Sequence, residues 1–221
     1  MKTLPTILAL ALLSGATAVS ATPAIAPAYP MAMQAAAPAD VTATAPKLDA
    51  ALRSLWHGHV VHTRDYALAV HAHDTAKAKA AADAVVANAK QIADAVGGFY
   101  GHAAGAKMLQ LLAGHWGGVK ALTDARAAND AAAQSKAMAD LNRNVDAIAT
   151  FLSGANPNLP ASAVQGLFAT HVAHHATQIE QIMSGNMQGE KTTWIAMQKH
   201  MDVIADALAG AIAKQFPAKA S

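Results

Sequence analysis

One arrangement recurs at a fixed step and limits what the chain can fold into. Leu55-Trp56-His57-Gly58-His59 returns as Leu111-Leu112-Ala113-Gly114-His115 and again as Leu167-Phe168-Ala169-Thr170-His171. Each step is 56 residues, from 59 to 115 to 171. In every copy two large apolar residues precede a histidine by four and three positions. Residues three and four apart share a helix face, so each histidine lies on an apolar stripe and not on a wet side. The same step relates Leu52, Met108 and Val164, then Val85, Leu141 and Met197, then Ile92, Ile148 and Ile204, and finally Val96, Leu152 and Leu208.

Punctuation residues predict six helices. The first runs from about Lys47 to His73. Asp74-Thr75 caps a second, which ends near Val96 before Gly97, Gly98 and Gly101. The third covers about Ala103 to Ala127. Asn129-Asp130 caps a fourth that ends near Leu152. Pro160 opens the fifth at a first-turn position and Gly185 closes it. The sixth runs from about Glu190 to Gln215 and stops before Pro217. Nothing reads as β-branched alternation. The expected fold is an all-α antiparallel bundle of three αα-hairpin repeats of about 56 residues each, and a compact bundle suits three copies better than an open solenoid.

Each second helix carries a polar residue on its apolar stripe: Asn88, Asn144 and His200, again 56 apart. These lie at mid-helix, as do His59, His115 and His171. Antiparallel helices of equal length set their midpoints level, so the six residues are expected to form a polar layer across the bundle. Buried imidazoles and amides need hydrogen-bond partners. One reading is a hydrogen-bonded layer that only fixes register. The other is a ligand site, since imidazole is the commonest metal ligand and bundle cores commonly hold such sites.

The chain has eleven histidines and no cysteine. Lack of cysteine excludes disulfides, thiolate metal sites and covalent haem attachment. The histidines without companion carboxylates favour transition metals over calcium or magnesium. His62 follows His59 by three, and His174 and His175 follow His171 by three and four, so all three thicken the layer. The candidate metal ligands are therefore His59, His62, His115, His171, His174, His175 and His200, with copper, zinc or haem as candidate ligands. His57 is expected to face outward. Met108, Met197 and Met201 offer soft sulfur, but Met at helical spacing is more often core filler. A di-iron carboxylate centre needs Glu-x-x-His pairs, and Glu180 and Glu190 lack that spacing. No G-x-S-x-G or H-E-x-x-H occurs, and Asp65 and Asp94 are expected on solvated faces. An enzyme would have to use a layer histidine for acid–base work. The net charge of +2 is too small and scattered to suggest nucleic acid. No protein partner is legible.

The N-terminus reads as an export signal over residues 1–21. Lys2 supplies the charge, Leu4 to Leu13 the apolar core, and Val19-Ser20-Ala21 the small residues for cleavage after Ala21. The apolar run is too short for a comfortable bilayer span, so none is expected after cleavage. Residues 22–46, rich in Ala and Pro, read as a linker, and residues 47–221 as one bundle domain. A periplasmic or secreted protein is expected.

Three segments carry a resemblance: LxxLWxxHVxxTRxY from Leu52 to Tyr66, FLSGANPN from Phe151 to Asn158, and ADALAGAIAKQFP from Ala205 to Pro217. They resemble a family of uncharacterised small bacterial helical-bundle proteins, over most of Lys47 to Pro217. The resemblance implies histidine at positions 59, 115, 171 and 200 and asparagine at 88 and 144. It implies no ligand, and it does not require His57, His62, His174 or His175.

Overall fold

The computed structural model describes residues 45–220. These form helices: α1 (Pro46–His71), α2 (Thr75–Tyr100), α3 (His102–Ala127), α4 (Ala131–Ala155), α5 (Ala161–Met183), α6 (Met187–Gln215) and a single turn, α7 (Pro217–Ala220). The export signal to Ala21 and the Ala/Pro-rich stretch up to residue 44 lie outside the described residues. Pro46, assigned to the linker from sequence, is the first residue of α1, where a missing N–H is harmless. Among the described residues no helix is long and apolar enough to cross a membrane.

Three of the turns share one chemistry. His73 and Asn129 at φ 55° and Gly185 at φ 74° reverse the chain. The next residues, Asp74, Asp130 and Asn186, cap the following helices by accepting from the N–H of Lys77, Ala133 and Gly189 at 2.9, 2.9 and 3.0 Å. Each such cap is worth about 1 kcal/mol.

Several boundaries differ from the sequence expectation. Gly97 and Gly98 lie inside α2, and only Gly101, at φ 92°, breaks it. The glycines serve packing instead. A Cβ on Gly105 would sit 2.9 Å from the Ala93 carbonyl oxygen and 3.1 Å from the Gly97 Cα, so only glycine lets α2 and α3 cross this closely. α4 continues through Gly154 to Ala155. Pro160 is the N-cap of α5, one place before the helix. α6 starts at Met187, three residues before Glu190, with Asn186 as its N-cap.

The packing sorts the helices into two sets. α1, α3 and α5 touch one another at the centre. α2 lies between α1 and α3, α4 between α3 and α5, and α6 between α5 and α1. Burial follows this placement. α2 buries a single stripe of Ala81, Val85, Asn88, Ala89, Ile92 and Ala93. α3 buries much more of its girth, including Leu111, Leu112, His115, Trp116, Gly118 and Val119. Trp56 and Phe168 meet edge to face at 5.8 Å, and Met108, Met197 and Met201 are core residues. Each fully buried large side chain contributes about 1.5–3 kcal/mol.

A partly buried ion pair links α1 to α6. Arg64 grips Glu190 through two hydrogen bonds of 2.6 and 2.9 Å, and Gln178 of α5 donates to the same carboxylate at 2.9 Å. Glu190 is only 1% exposed.

Candidate metal centre

The central helices bring four histidines together. α1 supplies His59, α3 supplies His115, and α5 supplies His171 and His175. One ring nitrogen from each lies within 4.8 Å of the other three. Ring centroids are 4.3 to 6.0 Å apart, and every ring is at most 2% exposed. His59, His115 and His171 come from equivalent places on three mutually packed helices. His175 lies one turn further along α5, about 6 Å along the axis. The set is therefore three residues at repeat-equivalent positions and a fourth one turn further along α5.

The cluster does not satisfy itself. His171 Nε2 and His175 Nε2 share one hydrogen bond of 3.0 Å. Both nitrogens of His59, both of His115 and Nδ1 of His171 are buried without a hydrogen-bond partner. Each unmatched neutral group costs about 1–3 kcal/mol.

Burial also keeps these rings neutral. It pushes His59 down to about 3, with His115 and His62 acting in the same direction. It pushes His115 down to about 4, against the opposing influence of the Asn144 amide. His171 and His175 are held well below the ordinary histidine value, first by burial and then by the neighbouring imidazoles. A neutral imidazole presents a lone pair, the form a metal needs.

Asn88, Asn144 and His200, expected in the same layer, turn to backbone. Asn88 Nδ2 donates to the Leu55 carbonyl at 3.0 Å, and Asn144 Nδ2 to that of Leu111 at 2.9 Å. His200 Nε2 donates to the Leu167 carbonyl at 2.8 Å. Each accepting residue lies one turn before a central histidine. Room for the amides comes from glycine: a Cβ on Gly58 or Gly114 would lie 3.0 or 3.1 Å from the respective Asn Nδ2. The Oδ1 atoms of Asn88 and Asn144 are buried without partners. These three residues clip an outer helix to a central one, and they are not members of the four-histidine group.

The remaining candidates lie elsewhere. His174 and His200 face each other with centroids 5.3 Å apart, both half-buried. His62 lines an outer cleft of about 520 Å³ with Asp65, Leu68 and Asp74, and is not one of the four clustered ligands although it lies near enough to His59 to disfavour its protonation. His57 points outward to Asp202 at 2.8 Å, as expected.

The geometry bears on one of the expected ligands, haem. Haem iron takes axial imidazoles on either side of a flat macrocycle. Here four imidazoles crowd one point, and any opposed pair leaves the other two where the macrocycle would lie. The four nitrogens lie close enough to hold a single ion: zinc–nitrogen bonds of about 2.0–2.1 Å place tetrahedral nitrogens about 3.4 Å apart, within the 4.8 Å span of the set. Sequence reasoning did not single out His175 from its neighbours or foresee the Arg64–Glu190–Gln178 lock. No family model, curated protein or solved structure matches the chain.

Proposed function

We propose that this chain is an exported, non-catalytic metal-binding protein, in which each 56-residue unit contributes one hairpin and the centre of the bundle holds one transition-metal ion. The observation that carries the reading is the meeting of four neutral imidazoles in the core with five of their ring nitrogens unpartnered. A purely hydrogen-bonded layer would pair those nitrogens. A metal ion accepts one lone pair from each ring, and the second nitrogens are left to donate, with the Asn144 amide beside His115 as the kind of acceptor such ligands use.

Zinc suits the site best. Nitrogen ligands are ordinary for zinc, and four imidazoles from three helices, two of them one turn apart on α5, suit a tetrahedral ion better than the square-planar preference of copper(II). Four protein ligands leave no open position, which is the mark of a structural or storage site and not of a catalytic one. The Lys2, apolar-core and Val19-Ser20-Ala21 pattern supports export, and the resemblance to small bacterial bundle proteins is compatible with it.

The test uses untagged mature protein. Cobalt(II) added to metal-free protein should give the strong visible absorption of a four-coordinate ion at one equivalent per chain, displaced by zinc. Absence of any bound cobalt or zinc would leave a bundle without a metal. N-terminal sequencing of periplasmic material should begin at Thr22; an intact Met1 in a membrane fraction would contradict export.

A further inference from the structure

A metal cannot reach the centre directly, because its four ligands are all but sealed from solvent. The third hairpin differs from the other two in a way that bears on this. Where Asn88 and Asn144 stand on α2 and α4, α6 carries His200. Where α3 carries Gly118, α5 carries His174. These two replacements meet: the rings are 5.3 Å apart at the α5–α6 seam, edge to face and half-buried.

We infer that His174 and His200 form a second, transient metal site, the port through which a divalent transition-metal ion enters the four-histidine centre. The inference rests on the metal reading above.

Three observations carry it. His200 donates from Nε2 to the Leu167 carbonyl, so Nδ1 keeps the lone pair and is the free ligand atom. His174 Nδ1 is buried without a hydrogen-bond partner. The pair also adjoins the centre: His174 is the residue before His175, and His200 is clipped to the turn that leads into His171. Two imidazoles hold an ion more weakly than four, so an ion caught there passes inward. Capture turns the last step into an intramolecular one.

The molecule contains its own control. His62 stands on α1 where His174 stands on α5, yet its outer-helix counterpart is Asn88, which offers no imidazole. The structure thus has one paired and one unpaired partly exposed histidine at equivalent places.

The experiment follows cobalt(II) uptake by metal-free, untagged protein in a stopped-flow instrument. His174→Ala and His200→Asn should load roughly tenfold or more slowly than the parent yet reach the same one-ion end point. His200→Asn installs the residue of the other two hairpins and keeps a donor for Leu167. Matching thermal unfolding of the metal-free forms checks that the fold is intact. His62→Ala should load like the parent. Parental rates in His174→Ala and His200→Asn would overturn the port and leave the centre standing. Equal slowing in His62→Ala would also overturn it, as would a loss of end-point affinity in the two port variants. A parent protein that takes up no ion would overturn the centre itself, and the port with it.

Discussion

His171 and His175 lie one helical turn apart on α5, and their Nε2 atoms stand 3.0 Å from each other. His175 occupies the place that Thr63 holds on α1 and Val119 holds on α3. It is thus the one central histidine that the 56-residue step does not generate, and it completes a group of three into a group of four.

His175→Val therefore removes a ligand and installs a residue that its counterpart position already buries. Losing an outer partner of a metal ligand typically weakens binding 10–100-fold, so loss of a ligand itself should weaken zinc by on the order of a hundredfold or more. The metal-free protein should change by no more than about 2 kcal/mol, since one imperfectly satisfied imidazole leaves and another loses its bond. Competition with a chelator measures the first, and urea unfolding the second. Unchanged zinc affinity would remove His175 from the centre.

Acid should unfold the metal-free protein earlier than an ordinary helical bundle. The folded values of His59 and His115 fall to about 3 and about 4, below the unfolded value of about 6.5. The unfolded chain then binds more protons, so stability is present above pH 6.5 and is lost as pH falls toward the folded values. Each imidazole contributes up to about 1.4 kcal/mol per pH unit in that window. Urea midpoints of the metal-free protein should drop steadily from pH 6.5 to 4.5. A flat profile would contradict burial of neutral rings.

Much of this site was legible in the sequence, for a geometric reason. Equal spacing brings equivalent residues of packed helices to one place, so His59, His115 and His171 meet in the core, and Asn88, Asn144 and His200 each reach an equivalent leucine carbonyl. Spacing does not fix which way a residue faces once helices are sorted into central and outer sets. The asparagines and His200 therefore turned out to clip backbone instead of joining the rings. His62, His174 and His175 were indistinguishable by offset alone. Only the placement of α5 against α1 and α3 selects His175, whereas His174 faces α6 and His62 the outer cleft. The Asp74 and Asp130 caps were readable because capping chemistry is local. The Gly97–Gly105 crossing was not, because it depends on a neighbouring helix.

Two adjacent glycines on α3 should respond to alanine with opposite signs. A Cβ on Gly117 meets nothing within 4 Å, so Gly117→Ala gains helix propensity, about 0.5–1 kcal/mol. A Cβ on Gly118 would lie 2.7 Å from Leu141 Cγ, a buried branched carbon, and Gly118→Ala should destabilise by about 1–3 kcal/mol. Chemical unfolding of the two variants decides it. Stabilisation by both would mean that α3 and α4 are not in this close contact.

Arg64→Ala strands the Glu190 carboxylate, whose pKa is held down chiefly by its hydrogen bonds with Arg64. Removing one member of a fully buried pair costs about 3–5 kcal/mol, and the partial exposure of Arg64 brings the expected loss down to about 1–3 kcal/mol. Arg64→Ala should show most of that loss by urea unfolding, and the double variant Arg64→Ala, Glu190→Gln should recover part of it. Equal stability of Arg64→Ala and the parent would show that the pair does not lock α1 to α6.

The central claim is that His59, His115, His171 and His175 bind one ion together. X-ray absorption at the zinc edge of zinc-loaded, untagged protein tests it most directly. The account predicts one zinc per chain with four nitrogen neighbours at about 2.0–2.1 Å and the multiple-scattering pattern of imidazole. A zinc surrounded by water and carboxylate oxygens, or fewer than three imidazoles, would place the metal elsewhere and contradict it.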